Sequence, residues 1–308
     1  MKPEYLLFLL IFPGLLFSGV VGLLVGWVDR KVSARFQFRV GPPLWQNFND
    51  FFKLLGKEVI IPREAAGSLF ISAPFLAFAA TVMVSAMIGT ALFFQKGLAG
   101  DLIVVLYLMM VFSVMVILGG GASGNVYSGV GAAREIKLLL ADELVFLLVM
   151  LVPIIKSGYQ LRLDALAAAQ QEGAFLASPS GIIAFILGIL CVQAKMTLPP
   201  FSIPEAETEI VEGPLMEYSG PLLGFWKLTQ AMMWVFFPFL LILLFWGGFS
   251  YRGLGILWFL LKYLFIVVVM IIIKNTNPRV RIDTALHFFW KIAAPLALIA
   301  VILAVIGA

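Results

Sequence analysis

Five glutamates, Glu205, Glu207, Glu209, Glu212 and Glu217, crowd into the stretch from Phe201 to Tyr218 of a chain that is 62% hydrophobic and only 12% charged. A second group, Arg134, Glu135, Lys137, Asp142 and Glu143, interrupts an otherwise apolar run that continues to Leu151. Carboxyls in such surroundings can take up, hold and release a proton, or bind a small cation. Other chemistries lack their residues. Cys191 is the single cysteine and His287 the single histidine, so there is no ligand spacing for zinc or an iron–sulfur cluster. The sequence also shows no phosphate-binding glycine loop and no nucleophile triad. The chemistry is therefore proton or ion handling, or it belongs to partners.

Spacing sharpens this reading. Glu135, Asp142 and Glu143 stand at i, i+7 and i+8, one face of a helix, spread over roughly 11 Å at about 1.5 Å per residue. A charge near the bilayer centre costs about 2.5–3.5 kcal/mol, so such side chains face protein or water. They form either a proton relay or a set of ion pairs that holds helices together. In the acidic stretch Pro204 is placed to open a helix, with Glu205, Glu209 and Glu212 on one face until Gly213-Pro214 ends it. The flanks, Pro199-Pro-Phe-Ser-Ile-Pro204 and Pro214-Leu-Met-Glu-Tyr, are apolar and turn-rich. They point to a packed, re-entrant loop at membrane level rather than a solvated one.

The elements that carry these residues are membrane helices. A mean hydropathy of +1.05 over 308 residues is incompatible with a water-facing surface. Stretches of about 20 apolar residues place eight spans near 5–28, 70–94, 102–120, 131–155, 180–198, 231–250, 254–273 and 285–306. The expected fold is all-α, an integral membrane protein with a single transmembrane domain over 1–308. The first apolar run is too long for a signal peptide and lacks a small-residue cleavage site, and is kept as a mature helix. Between the first two spans, Phe48, Phe51, Phe52, Leu55 and Val59 recur at helical spacing while Asp50, Lys53 and Lys57 take other faces, which predicts an amphipathic interfacial helix. Most of the 21 basic residues fall in the connections after spans one, three, five and seven. By the positive-inside rule both termini face outward from a cell membrane. The basic residues follow one membrane face and are not clustered, so nucleic acid is not an expected partner.

Pro204-Glu-Ala-Glu-Thr-Glu-Ile-Val-Glu-Gly213 and Glu217-Tyr-Ser-Gly resemble the signature of the membrane subunit that joins the two arms of respiratory complex I, the subunit 1 family. Arg39-Val-Gly-Pro-Pro with Gln46, Asp50, Lys53-Leu and Lys57-Glu, Gly131-Ala-Ala-Arg-Glu135, and Asn277-Pro-Arg-Val-Arg-Ile-Asp283 with Trp290-Lys and Pro295 agree, in the expected order along the whole chain. Gly41-Pro-Pro43 and Gly131-Ala-Ala-Arg-Glu135 look more like energy-converting membrane-bound nickel–iron hydrogenases. Ser202 stands where complex I proteins commonly carry aspartate, which points away from quinone reduction. The resemblance implies a subunit with no cofactor of its own, seated under hydrogenase-like large and small peripheral subunits. Those partners would hold the nickel–iron centre and iron–sulfur clusters, with antiporter-like membrane subunits alongside. It places an ion pathway on Glu135, Glu143, Glu205, Glu207, Glu209, Glu212 and Glu217, to which depth and spacing add Asp142. Arg35, Arg39, Lys53, Lys57, Arg279 and Arg281 are the candidate docking residues, meeting partner acids or anionic lipid. Quinone-reducing or sulfur-reducing relatives, a free-standing ion transporter and a purely structural anchor are the competing readings.

Overall fold

The computed structural model describes residues 3–98, 100–170, 173–249 and 253–307. The regular elements among them are all helical: α1 (Pro3–Leu10), α2 (Leu15–Phe36), α3 (Gln46–Leu55), α4 (Gly67–Phe94), α5 (Leu102–Gly121), α6 (Val126–Lys156), α7 (Leu163–Ala169), α8 (Pro179–Lys195), α9 (Glu207–Ile210), α10 (Gly220–Phe245), α11 (Gly255–Thr276), α12 (Ile282–His287) and α13 (Ala294–Ile306), with short 3-10 and π turns between some of them. Among the described residues seven spans are long and apolar enough to cross a membrane, and α8 adds a shorter apolar helix of 17 residues. The expected all-α membrane bundle is thus what the chain forms.

Several boundaries move for local reasons. The first span is two helices, α1 and α2, broken at residues 11–14. Pro13 offers no backbone N–H and the Ser18 hydroxyl donates to Gly14 O at 2.6 Å, so the second helix starts afresh. α2 then runs to Phe36, eight residues past the expected 28, and carries Asp29, Arg30 and Arg35 as helix residues. α10 begins at Gly220 rather than 231, which brings Lys227 and Gln230 into the helix. The last span is continuous from Ile282 through a π turn at Phe288–Ala293. The amphipathic helix is present as α3. It ends at Leu55 before Gly56, so Val59 lies beyond it. Its Asn47 donates to Leu23 O (2.9 Å), and Asp50 accepts from Arg30 (2.9 Å), which lays it against α2.

α10 is the axis of the bundle. Residues 232–245 are buried without interruption, and the helix touches α2, α3, α4, α8 and α11. A helix apolar all round belongs in a protein core, even inside a membrane.

Between α8 and α10 the chain forms the acidic loop, whose second half is clamped. Pro214 and Leu215 are buried against α5 and α6, and the Ser128 hydroxyl lies 3.0 Å from Pro214 O. Tyr218 stacks on Phe70 at 4.1 Å and donates to the Phe70 carbonyl (3.0 Å). The approach to α6 is so close that a Cβ on Gly131 would sit 2.6 Å from Pro214 Cδ. Gly213 takes φ +58°, and a Cβ there would collide with the Pro204 carbonyl oxygen, so the loop closes on itself through a position that only glycine fills without strain. Gly213-Pro214 is thus a packed anchor. Gly131→Ala is expected to lower stability by about 1–3 kcal/mol through overpacking. Gly129→Ala on the same helix, where a Cβ meets nothing within 4 Å, is expected to be neutral or stabilising. Thermal unfolding of the detergent-purified protein separates the two.

Candidate functional site

The centre of the site is Lys195, the last residue of α8. At about 1.5 Å per residue, 17 residues give a helix of roughly 25 Å, short of the ~30 Å hydrocarbon core. Lys195 is therefore not carried to a water interface, and its side chain is 5% exposed. Its ammonium lies 3.1 Å from Asp142 Oδ2 and 2.6 Å from Glu143 Oε2, both on α6, and 4.6 Å from the Phe146 ring centroid. Such a charge-assisted triad is strong only while complete. Two carboxylates share one cation, and Asp142 keeps its other oxygen, Oδ1, buried without a hydrogen-bond partner.

Seven residues earlier, roughly 10 Å along the axis, Glu135 points from the same face of α6 into the bundle, 2% exposed. Ser113 of α5 hydrogen-bonds it, while its Oε2 is buried and unpartnered. Glu205 of the acidic loop lies within electrostatic range of Glu135. Half-buried, Glu205 accepts from Gln230 Nε2 of α10 (3.1 Å), with the Thr197 hydroxyl beside it. Burial pushes its carboxyl up from the ordinary value and Glu212 adds to this, while Lys227, Gln230 and Thr197 pull it back. At the surface Glu209 pairs with Arg134 at 2.6 Å, and Arg134 directly precedes Glu135 in sequence. Together these groups form a file of acids from the loop face to the middle of α6.

The other expected residues divide. Glu205, Glu209 and Glu212 do not share a helical face. α9 is a single turn that starts after Glu205, because Ala206 and Ile210 turn inward to be buried and Val211 breaks the helix at φ +59°. Glu205 faces α10, whereas Glu209 and Glu212 are exposed, so only part of the acidic stretch is packed as anticipated. Glu217 stands apart: it accepts from Asn125 Nδ2 (2.5 Å), the residue that caps α6. The side chain of Glu207 lies outside the described residues. Among the docking candidates Arg35, Arg39, Lys53, Lys57 and Arg281 are exposed; Arg279 is exposed but donates to Ser202 Oγ (3.0 Å) and to the Glu205 carbonyl (3.4 Å).

Lys195, Ser113, Thr197 and Gln230 were not anticipated from sequence. Lys195 did carry a signal, a lone cation closing an apolar run. Gln230 was hidden because the helix that aims it was expected to start one residue later. A second polar centre was also missed. Asp29 of α2 pairs with Lys274 of α11 at 2.7 Å and lines, with Asn47, Lys227 and Gln230, a cleft of about 550 Å³ between α2, α3 and α10. Among the described residues no group of three or more His, Cys, Asp or Glu could hold a metal ion.

A family profile described as NADH dehydrogenase matches residues 8–305. The chain belongs to the NADH dehydrogenase subunit 1 family. It is 34% identical over 284 residues to an NADH-quinone oxidoreductase subunit of Bacillus mycoides (strain KBAB4), covering 88% of this chain and 84% of that one. The corresponding NADH-quinone oxidoreductase subunit of Geobacillus kaustophilus (strain HTA426) is 32% identical over 288 residues, covering 89% and 86%. Among solved structures a chain of the membrane-bound sulfane sulfur reductase, an archaeal respiratory membrane complex, superposes with a TM-score of 0.87 at 26% identity, over 98% of this chain and 99% of that one.

Replacing Lys195 by Met leaves the buried Asp142 and the part-buried Glu143 uncompensated and is expected to cost about 3–5 kcal/mol. Adding Asp142→Asn and Glu143→Gln to Lys195→Met should restore most of the lost thermal stability, a non-additivity that unfolding of the single and combined variants measures.

Proposed function

We propose that this chain is the membrane-embedded coupling and anchoring subunit of a multi-subunit respiratory complex. It links redox chemistry in docked peripheral subunits to proton or sodium translocation. The observation that carries this is the file from Arg134·Glu209 through Glu205 and Glu135 to Asp142, Lys195 and Glu143. A carboxyl file that enters the bundle at a loop face and ends on a cation shared by two acids can respond to charge placed above it. When a proton arrives on one acid, the ammonium moves toward the other. The interval between Glu135 and Asp142 is crossed through water or a side-chain swing. Glu207, Glu212 and Glu217 are the remaining acids assigned to the pathway, with Glu217 standing apart at Asn125. Arg35, Arg39, Lys53, Lys57, Arg279 and Arg281 form the platform on which the hydrophilic subunits sit. That platform faces the cell interior, because the basic connections lie on that side, and both termini face outward.

The docked subunits are of the hydrogenase-like large and small type, holding the nickel–iron centre and iron–sulfur clusters, with antiporter-like membrane subunits and lipid alongside. Support for this comes from Gly41-Pro-Pro43 and from Ser202, whose neutral hydroxyl accepts from Arg279. A sulfur-reducing complex is the second reading, favoured by the superposition on the sulfane sulfur reductase. Metal analysis and a hydrogen-evolution assay on the intact complex distinguish them: nickel with hydrogen evolution establishes the first, and iron without nickel overturns it.

Glu135→Gln, in the assembled complex reconstituted in liposomes, is expected to cut ion translocation at least about tenfold, the scale of an essential proton carrier, while electron transfer persists. Full translocation in that variant defeats the pathway reading. Glu205 gives a pH test. Its folded carboxyl is raised, so it contributes stability that is fully present below the ordinary carboxylate range and is lost as pH rises through its elevated value. Glu205→Gln should flatten that loss in unfolding temperature measured against pH.

A further inference from the structure

A cleft of about 460 Å³ lies between the acidic loop, α6 and the segment leading into α12, lined by Arg134, Glu209, Arg279, Arg281 and Asp283. Among the described residues it holds three guanidinium groups against two carboxylates, and only one of the three is in an ion pair. Arg134 binds Glu209 at 2.6 Å. Arg279 spends its donors on neutral acceptors, Ser202 Oγ and the Glu205 carbonyl. Arg281 is exposed and has no ion pair within 4 Å among the described residues. A rigid, always-charged guanidinium fork matches a carboxylate through two parallel hydrogen bonds. The cleft therefore presents an acid-binding site with one positive charge in excess.

We propose that this cleft receives an acidic segment of the docked hydrophilic subunit, with a side-chain or C-terminal carboxylate seated on Arg279 and Arg281. The inference rests on the subunit reading above and adds the chemistry of the contact. The surroundings favour protein over lipid. The Asp29–Lys274 pair ties the end of α2 to the end of α11, so the 37–45 connection and the 277–281 connection emerge on the same face. On that face Phe38 is 100% and Val40 88% exposed, apolar side chains raised on a loop where another protein would bury them. The seat also has a consequence. The Arg134–Glu209 pair lines the same cleft, so a carboxylate seated on Arg279 and Arg281 places its charge beside the ion pair at the mouth of the acid file.

Arg281→Lys keeps the charge and introduces a primary amine at position 281. The complex carrying it is purified in mild detergent and treated with a zero-length carbodiimide, which joins amines only to carboxylates they touch. The expected result is an amide between position 281 and an Asp, Glu or C-terminus of a co-purified hydrophilic subunit, identified by mass spectrometry and lost when salt is raised before coupling. In parallel Arg281→Glu is expected to weaken retention of that subunit at moderate salt by about tenfold, the scale of losing one charge-assisted contact. If the hydrophilic subunits co-purify but position 281 couples only to Asp283 or Glu209, or to nothing, the proposal fails while the subunit reading stands. An anionic phospholipid retained by the wild type and lost from Arg281→Glu overturns it in favour of lipid. If the chain purifies with no hydrophilic partner at all, the subunit reading fails with it.

Discussion

A buried ammonium with two carboxylates around it organises this protein. Lys195 ends a helix too short to lift it to the water interface, and an unpaired charge at that depth would be costly. Asp142 and Glu143 supply the missing countercharge from α6, which locks α8 to α6 and fixes how deep α8 stops. Everything between Met196 and Ser219 follows from that stop. The chain leaves a helix that ends inside the protein and runs on as irregular backbone, whose buried polar groups must find partners in the protein around them. α4, α6 and α10 supply that environment: Phe70 O accepts from Tyr218, Ser128 donates to the Pro214 carbonyl, and Gln230 donates to Glu205.

The acidic loop is consequently two structures in one. Its C-terminal half is clamped by glycine-enabled contact with α6 and by the Tyr218–Phe70 stack, and it behaves as part of the core. Its N-terminal half carries the single turn α9 and the exposed Glu209 and Glu212, and it meets Arg134 at the loop face. Glu205 precedes α9 in the N-terminal half and faces α10. On the coupling reading proposed above, charge placed above the loop acts on the N-terminal half, while the clamped half, through the Gly213 contact with Pro204, holds Glu205 in place. Energetically this suits coupling to a membrane potential. Moving one charge through 100 mV takes about 2.3 kcal/mol, which a change of about 1.7 in the pKa of one acid supplies.

Hydropathy alone located the spans of α4 and α5 closely, and alternation of Phe48, Phe51 and Phe52 with Asp50 and Lys53 located α3. These are sums over one helix, and lipid or interface enforces them locally. The break at Pro13-Gly14 and the start of α10 at Gly220 were misjudged for the same reason. Hydropathy averages over about 20 residues. It cannot register a four-residue interruption, and it discounts Lys227 and Gln230, which α10 carries because they face protein.

Sequence by itself determined that the protein lives in a membrane, that its scarce charge concentrates on α6 and the acidic stretch, and that these residues match one family of respiratory membrane subunits. Tertiary structure alone decided which charges meet. A lysine near the end of an apolar run reads equally as snorkelling to water or as buried, and only the packing of α8 against α6 selects the second. Glu205, Glu209 and Glu212 read as one helical face, yet burial of Ala206 and Ile210 confines the helix to one turn and sends the three carboxyls to different neighbours. The physical reason is the same in both cases: propensity and hydropathy are properties of a segment, whereas the fate of a charge depends on the partner that another segment brings to it.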